Sequence, residues 1–225
     1  MCALNQIVPW GRSYAEYRQM FALEDADLRL RVLGCADGPA SFNAEFTRRG
    51  GFVKSVDPLY RLSTEEILDR ISATYTQVLD ETRRKTNNFV WTTIRSVEEL
   101  GRVRMEAMRT FLADYSSEKR DERYIAAALP VLPFEDHSFD LALCSHFLFL
   151  YSEQLSEEFH LEAIREMCRV ADEVRIFPLL TLDGHRSGYL PAIVRQLRES
   201  WEVSIQTVPY EFQRGGNQMM RVRAC

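Results

Sequence analysis

The sequence predicts an α/β fold, and three stretches carry that reading. The first is Arg31-Val-Leu-Gly-Cys-Ala-Asp-Gly-Pro-Ala-Ser-Phe42, a short apolar strand that breaks into a glycine-bearing turn and opens a helix. The second is Phe52-Val-Lys-Ser-Val-Asp57, a strand ending in an acid. It follows the turn by about twenty residues, the offset at which a nucleotide-binding βαβ unit offers a carboxylate to ribose hydroxyls. The third is the C-terminal part, where Val203–Val208 and Gln218–Val222 are strand-like runs joined through Gly215-Gly216 with no helix between them. Two such strands pair as an antiparallel hairpin. Elsewhere strand-like runs alternate with helical patterns, the signature of parallel βαβ units with helices on both faces.

Taken in order, residues 1–29 hold one helix. Ser13 and Glu16 have capping-box spacing, and Tyr14, Tyr17, Met20 and Phe21 then recur at helical intervals. In the strand–turn–helix unit, Gly34 and Gly38 permit backbone angles and close approaches that a Cβ blocks. Pro39 suits the first turn of a helix, which runs through Phe42, Ala44 and Phe46 and stops at Gly50-Gly51. A helix opening there turns backbone N–H groups toward a ligand.

Roughly sixty residues then separate the second strand from the next, far more than an ordinary connection. They predict two helices. One starts at Ser63 with Glu66 and carries Ile67, Leu68, Ile71, Tyr75, Val78 and Leu79 on one side. The other starts at Ser96 with Glu99 and carries Val97, Leu100, Val103, Met108, Phe111 and Leu112. One of them serves the crossover. The other, with the apolar link Phe89-Val-Trp91, reads as an insertion: a structural flap, or a substrate lid or interface, mobile without ligand.

Tyr124–Leu129 reads as the third strand, followed by a loop held extended by Pro130 and Pro133. Asp140–Ser145 is the fourth strand and passes into the apolar run His146-Phe-Leu-Phe-Leu-Tyr151. That junction lies at the C-terminal edge of the sheet, where open α/β sheets bind ligands, so Ser145 and His146 are candidate site residues. Leu155–Val170 is a helix, Glu173–Pro178 a strand and Leu190–Trp201 a helix.

The length of 225 residues fits a single domain over 1–225, with the N-terminal helix in 1–29 and a helical insertion within about 60–123. A net charge of −5 and an isoelectric point near 5.5 argue against a nucleic-acid surface. No apolar run reaches membrane-spanning length, and no basic-then-apolar leader opens the sequence. The five cysteines, Cys2, Cys35, Cys144, Cys168 and Cys225, show no metal-ligand spacing and read as reduced thiols of a cytoplasmic protein. No histidine shows metal-ligand spacing either.

The glycine turn, the strand ending in Asp57 and the run Leu132-Pro-Phe-Glu-Asp-His-Ser-Phe-Asp140 together resemble class I S-adenosylmethionine-dependent methyltransferases. The last run is similar to the "LPF…SFD" lead-in to that family's fourth strand. The resemblance covers most of the chain. It implies a doubly wound, mostly parallel seven-stranded sheet with an antiparallel last strand and helices on both faces. It also implies S-adenosylmethionine as cofactor and methyl transfer to an acceptor, which the acidic composition and the apolar insertion tilt toward a small molecule. The turn residues Gly34, Cys35, Ala36, Asp37 and Gly38 would lie against its amino acid and ribose. Asp57, followed by Pro58, would take the ribose hydroxyls. Ser145 and His146 would line the boundary between cofactor and acceptor. The adenine-binding acid of the family falls at Ala128 here, which leaves the backbone of Leu129 for the adenine. A helix before the first strand covers the methionine end in such proteins, and Arg12 could pair the cofactor carboxylate, with Tyr17 beside it.

The first motif departs from the family. Gly34 stands where the acid usually is, Ala36 replaces the first glycine and Ala40 the last. Asp37, three residues on from Gly34, can supply the missing charge, or serve as a plain turn former. The departures also motivate an alternative: a non-catalytic, methyltransferase-like binding or regulatory protein with a weakened cofactor site. A nicotinamide enzyme suits Asp57, but Gly34 and Gly38 do not give the G-x-G-x-x-G spacing and the closing hairpin argues against it. No catalytic base is named by the sequence.

Overall fold

The computed structural model describes residues 8–116 and 120–224. Cys2, Cys225, positions 1–7 of the N-terminal stretch and positions 117–119 of the expected insertion lie outside the described residues.

Seven strands form one sheet: β1 (Arg31–Cys35), β2 (Phe52–Val56), β3 (Tyr124–Ile125), β4 (Phe139–Ser145), β5 (Ala171–Phe177), β6 (Trp201–Thr207) and β7 (Gln218–Ala224). Their order across the sheet is β3-β2-β1-β4-β5-β7-β6. The pairs from β3 to β5 are parallel, and β7 runs antiparallel to both β5 and β6. This is the mostly parallel sheet with an antiparallel last strand that the sequence predicts. Helices α1 (Tyr14–Met20), α2 (Phe42–Arg48), α3 (Thr64–Arg84) and α4 (Val97–Tyr115) precede the short α5 (Arg120–Arg123); α6 (Glu157–Val170) and α7 (Leu190–Leu197) follow β4 and β5.

Side-chain alternation along the strands feeds two cores. Leu33, Cys35, Ala142, Cys144, Val174 and Ile176 pack with α6 and α7 on one face. Val32, Val53, Leu141 and Leu143 pack with the aromatic stripe of α1 and with Phe42 and Phe46 of α2 on the other. The capping box at Ser13 and Glu16 is present, and the glycine stop is too, with Gly50 at φ +89° closing α2.

Several boundaries correct the sequence reading. The N-terminal stretch holds α1 and a separate 3-10 turn at Asp25–Arg29 rather than one helix. Pro39 lies before α2, which starts three residues later at Phe42. Strand β3 ends at Ile125, because Ala127 N–H bonds Ile125 O and Val131 N–H bonds Ala128 O, turning the apolar run Ala127–Leu129 out of the sheet. Trp201 opens β6 instead of closing a helix. Leu68, expected on the buried stripe of α3, is exposed. Of the two long helices, α4 packs against α2 and covers Tyr124 of β3, whereas α3 packs on α4. Phe89–Trp91 is a clasp. Val90 N–H donates to Phe212 O at 2.8 Å, and the Phe89 and Trp91 rings lie 5.0 and 5.4 Å from the Phe212 ring. It fastens the α3–α4 link to the β6–β7 connection and does not reach the cavity described next.

Candidate cofactor site

A cavity of about 490 Å³ opens at the C-terminal ends of β1, β2 and β4, within the range of small-molecule sites. The turn after β1 contributes Ala36, Asp37 and Gly38; the segment after β2 contributes Asp57 and Pro58; the chain after β3 contributes Ala127–Leu129; and β4 contributes Ser145 and His146. Eight of the ten residues singled out from sequence thus line one space. Gly34 and Cys35 do not. Gly34 is buried within β1, and the Cys35 side chain points into the core beneath α6, where burial pushes its thiol well above the ordinary range.

The turn has an unusual construction. Ala36 takes φ +53° and Gly38 takes φ +53°, the left-handed region. An alanine there costs about 1–2 kcal/mol, so Ala36 holds this left-handed backbone against its own preference. The space above Gly34 is filled. A Cβ built on Gly34 would lie 1.9 Å from Oδ2 of Asp37. The carboxyl of Asp37 therefore occupies the volume where a side chain at position 34 would begin. Tyr17 Oη donates to its Oδ1 at 2.7 Å and Ser55 Oγ to its Oδ2 at 2.6 Å. No cation partners it among the described residues. Burial pushes Asp37 up to about 6 against the pull of the two hydroxyls, and neighbouring Asp57 adds to the rise.

Asp57 holds the turn to the next element. Its Oδ2 accepts from Gly38 N–H at 2.9 Å and its Oδ1 from Leu59 N–H at 2.8 Å, capping the 3-10 helix Pro58–Arg61. Gly38 N–H therefore faces Asp57 rather than the cavity. Each carboxylate oxygen keeps a second lone pair, so the group can still accept from a ligand hydroxyl. Burial raises Asp57, opposed by these two N–H bonds.

At the far wall, His146 sits at φ +52° with its Nδ1 2.9 Å from Ser145 Oγ, and its backbone N–H donates to Phe177 O at 2.6 Å. Burial, with Arg12 and Arg104 nearby, holds it well below the ordinary histidine range, so the ring is neutral at pH 7. Ser55, Asp37 and Tyr17 are thus linked by hydrogen bonds, and Ser145 and His146 form a second linked pair across the cavity.

The sequence reading missed an adjoining cluster. Arg104 of α4 is fully buried and donates to Glu16 of α1, and Tyr210 Oη donates to the other Glu16 oxygen at 2.8 Å. Burial would raise Glu16, but Arg104 outweighs it and brings the carboxyl down to about 2. Arg12 lies against the same cluster and lines the cavity. Burial and the charge of Arg104 bring it down to about 10, still protonated at pH 7. Its Nη1 bonds only the carbonyl of Trp10, and its buried Nε has no partner among the described residues, like Nε and Nη2 of Arg104. The sequence did hold a signal: Arg104 lies four residues after Leu100 and four before Met108, a charge on the apolar stripe.

Among the described residues, no three His, Cys, Asp or Glu side chains are grouped to hold a metal ion, and no helix is long and apolar enough to cross a membrane. No protein-family model matches the chain. Similar solved structures include magnesium protoporphyrin IX methyltransferase of Synechocystis PCC 6803 with bound SAM, at 11% identity, 89% of this chain, 73% of that chain and a TM-score of 0.46. They also include the N-methyltransferase NodS of Bradyrhizobium japonicum WM9 with S-adenosyl-L-homocysteine, at 12% identity, 93% of this chain, 84% of that chain and a TM-score of 0.48. An uncharacterized protein of Methanocaldococcus jannaschii is 34% identical over 221 residues, which span 98% of this chain and 97% of the archaeal one. The chain belongs to the family of that archaeal protein, and its sheet has the strand order and antiparallel last strand of the class I methyltransferase fold.

Proposed function

We propose that the protein is a single-domain S-adenosylmethionine-dependent methyltransferase acting on a small-molecule acceptor. One observation carries this reading: a cavity at the ends of β1, β2 and β4 joins the Gly38 turn, the Asp57 carboxylate, an arginine whose buried Nε has no partner and a buried carboxylate with no cation partner among the described residues. That set fits a zwitterionic amino acid attached to a nucleoside. Asp57 accepts from the ribose hydroxyls with its remaining lone pairs. The Arg12 guanidinium pairs the cofactor carboxylate, and Asp37 takes the ammonium. The backbone at Leu129 meets the adenine, since position 128 is alanine. The acceptor approaches from the side of His146 and Tyr151.

The cofactor, when bound, supplies an activated methyl on a sulfonium, so the transfer is a direct displacement. The residues of this chain align it. Proximity and orientation are worth about 7–11 kcal/mol of barrier when the reacting atoms are well placed. Neutral His146, fixed by Ser145, orients the acceptor by hydrogen bonding and carries no charge that would repel the sulfonium.

A thermal-shift panel tests the reading. S-adenosylhomocysteine at a hundredfold excess over its dissociation constant is expected to add about 2.7 kcal/mol of stability, and NAD none. Stabilisation by NAD and not by S-adenosylhomocysteine would overturn it.

A further inference from the structure

The charges that line the cavity do not balance. Arg12, Arg61 and Arg70 line it, and so do Asp37 and Asp57. Both acids are engaged within the fold, Asp37 by two hydroxyls and Asp57 by two backbone N–H groups. None of the three arginines has a carboxylate within ion-pair distance among the described residues. On the same helix pair the treatment is different. Arg83 of α3 is paired with both Asp80 and Glu98, and Arg102 of α4 with Glu99 and Glu106. In a chain of net charge −5, an unpaired basic mouth on one cavity is a local reversal of sign.

Arg61 ends the 3-10 helix that Asp57 caps, and Arg70 stands two turns into α3, so both are exposed and reach the cavity from its outer side. Arg12, half-buried, is the inner arginine. A cofactor with one carboxylate satisfies one of the three. Its ammonium goes to Asp37 and its sulfonium repels the others, which lowers the affinity unless a second anion enters with it. The cavity lining also carries apolar side chains, among them Trp10, Leu59 and Leu62.

We propose that the acceptor is an anionic small molecule, an apolar body bearing a carboxylate or phosphate, whose oxyanion is held by Arg61 and Arg70. This rests on the reading of the cavity as a methyl-donor site and adds the class of the second substrate. It also gives the outer part of the cavity a role in order of binding: the anion offsets the cofactor's cationic groups, so each ligand raises the affinity of the other.

Two probes test it, inorganic phosphate and benzoate, titrated into the protein saturated with S-adenosylhomocysteine at constant ionic strength set by chloride. At least one is expected to raise the melting temperature in a saturable way. The Arg61→Gln/Arg70→Gln double variant should weaken that anion by about ten- to hundredfold and keep S-adenosylhomocysteine affinity within a factor of about two. Arg61→Lys/Arg70→Lys should restore part of the anion response. No response to either anion in the wild type, or an unchanged response in the double variant, would overturn the proposal. Loss of S-adenosylhomocysteine binding in the double variant would also overturn it, because the arginines would then serve the cofactor. A wild type that binds phosphate or benzoate through these arginines, yet binds no S-adenosylhomocysteine, would keep the anion site and remove the cofactor reading.

Discussion

Glu16 and Asp37 are both 7% exposed, yet the fold holds them in opposite ways. Glu16 has Arg104, Tyr210 and the N-cap serine around it, and its carboxyl is brought down to about 2. Asp37 has two hydroxyls and, among the described residues, no cation, and it is pushed up to about 6. Burial is the same, so the difference lies in the partners. A carboxylate whose countercharge is built in is part of the scaffold. One that the fold leaves without a countercharge, beside a cavity, destabilises the free protein and is the group a cationic ligand would complete.

The largest expected effect falls on the scaffold side. Glu16→Gln leaves Arg104 buried without its carboxylate and should lower stability by about 3–5 kcal/mol in urea denaturation at neutral pH. A loss below about 1 kcal/mol would mean that the two carboxylates are not held as differently as the geometry implies.

The pH dependence separates them next. For Asp37 the folded value lies above the ordinary 3.8, so its contribution is fully present below that value and is lost as pH rises through about 6. A rise of two units is worth about 3 kcal/mol. For Glu16 the sign reverses: its contribution is present above 4.5 and is lost as pH falls toward 2. Stability of wild type minus that of Asp37→Asn, followed from pH 4 to pH 7, should therefore fall by about 2–3 kcal/mol. A flat difference curve would show that Asp37 is not strained by its charge.

The Gly34–Asp37 pair offers a sharper cut. Gly34→Asp alone drives a Cβ into the Asp37 carboxyl and should cost about 1–3 kcal/mol as an overpacked site. With Asp37→Gly added, the space is free and the carboxylate returns through position 34. Binding of S-adenosylhomocysteine by the exchange variant should then exceed that of Asp37→Gly alone. The smallest effect is at Ala36. Relieving its left-handed backbone with Ala36→Gly should raise stability by about 0.5 kcal/mol, the strain released less the entropy a glycine adds to the unfolded chain.

The sheet was legible in the sequence because its signals are local. A strand, glycine turn and helix at 31–48 define the first βαβ unit, and two strands without a helix between them close as a hairpin. The closeness of Asp37 to Gly34 was legible as well, since the two sit three residues apart in one turn. Arg104 was not. Its partner Glu16 is 88 residues away, so a charged residue on the α4 stripe has meaning only once α1 and α4 touch. The run Ala127–Leu129 reads as strand by its apolar character, and only its turn hydrogen bonds remove it from β3. Phe89–Trp91 has the composition of a lid, but its rings are taken up by Phe212, more than a hundred residues on.

Calorimetric titration of S-adenosylhomocysteine into wild type and Asp37→Asn at pH 7.5 tests the central claim most directly. The wild type is expected to bind, and Asp37→Asn to bind about ten- to hundredfold more weakly while melting at no lower a temperature, the loss of one charge-assisted hydrogen bond without loss of structure. Equal affinities would contradict the claim, because the carboxylate that fills the space above Gly34 would then be a turn former and nothing more.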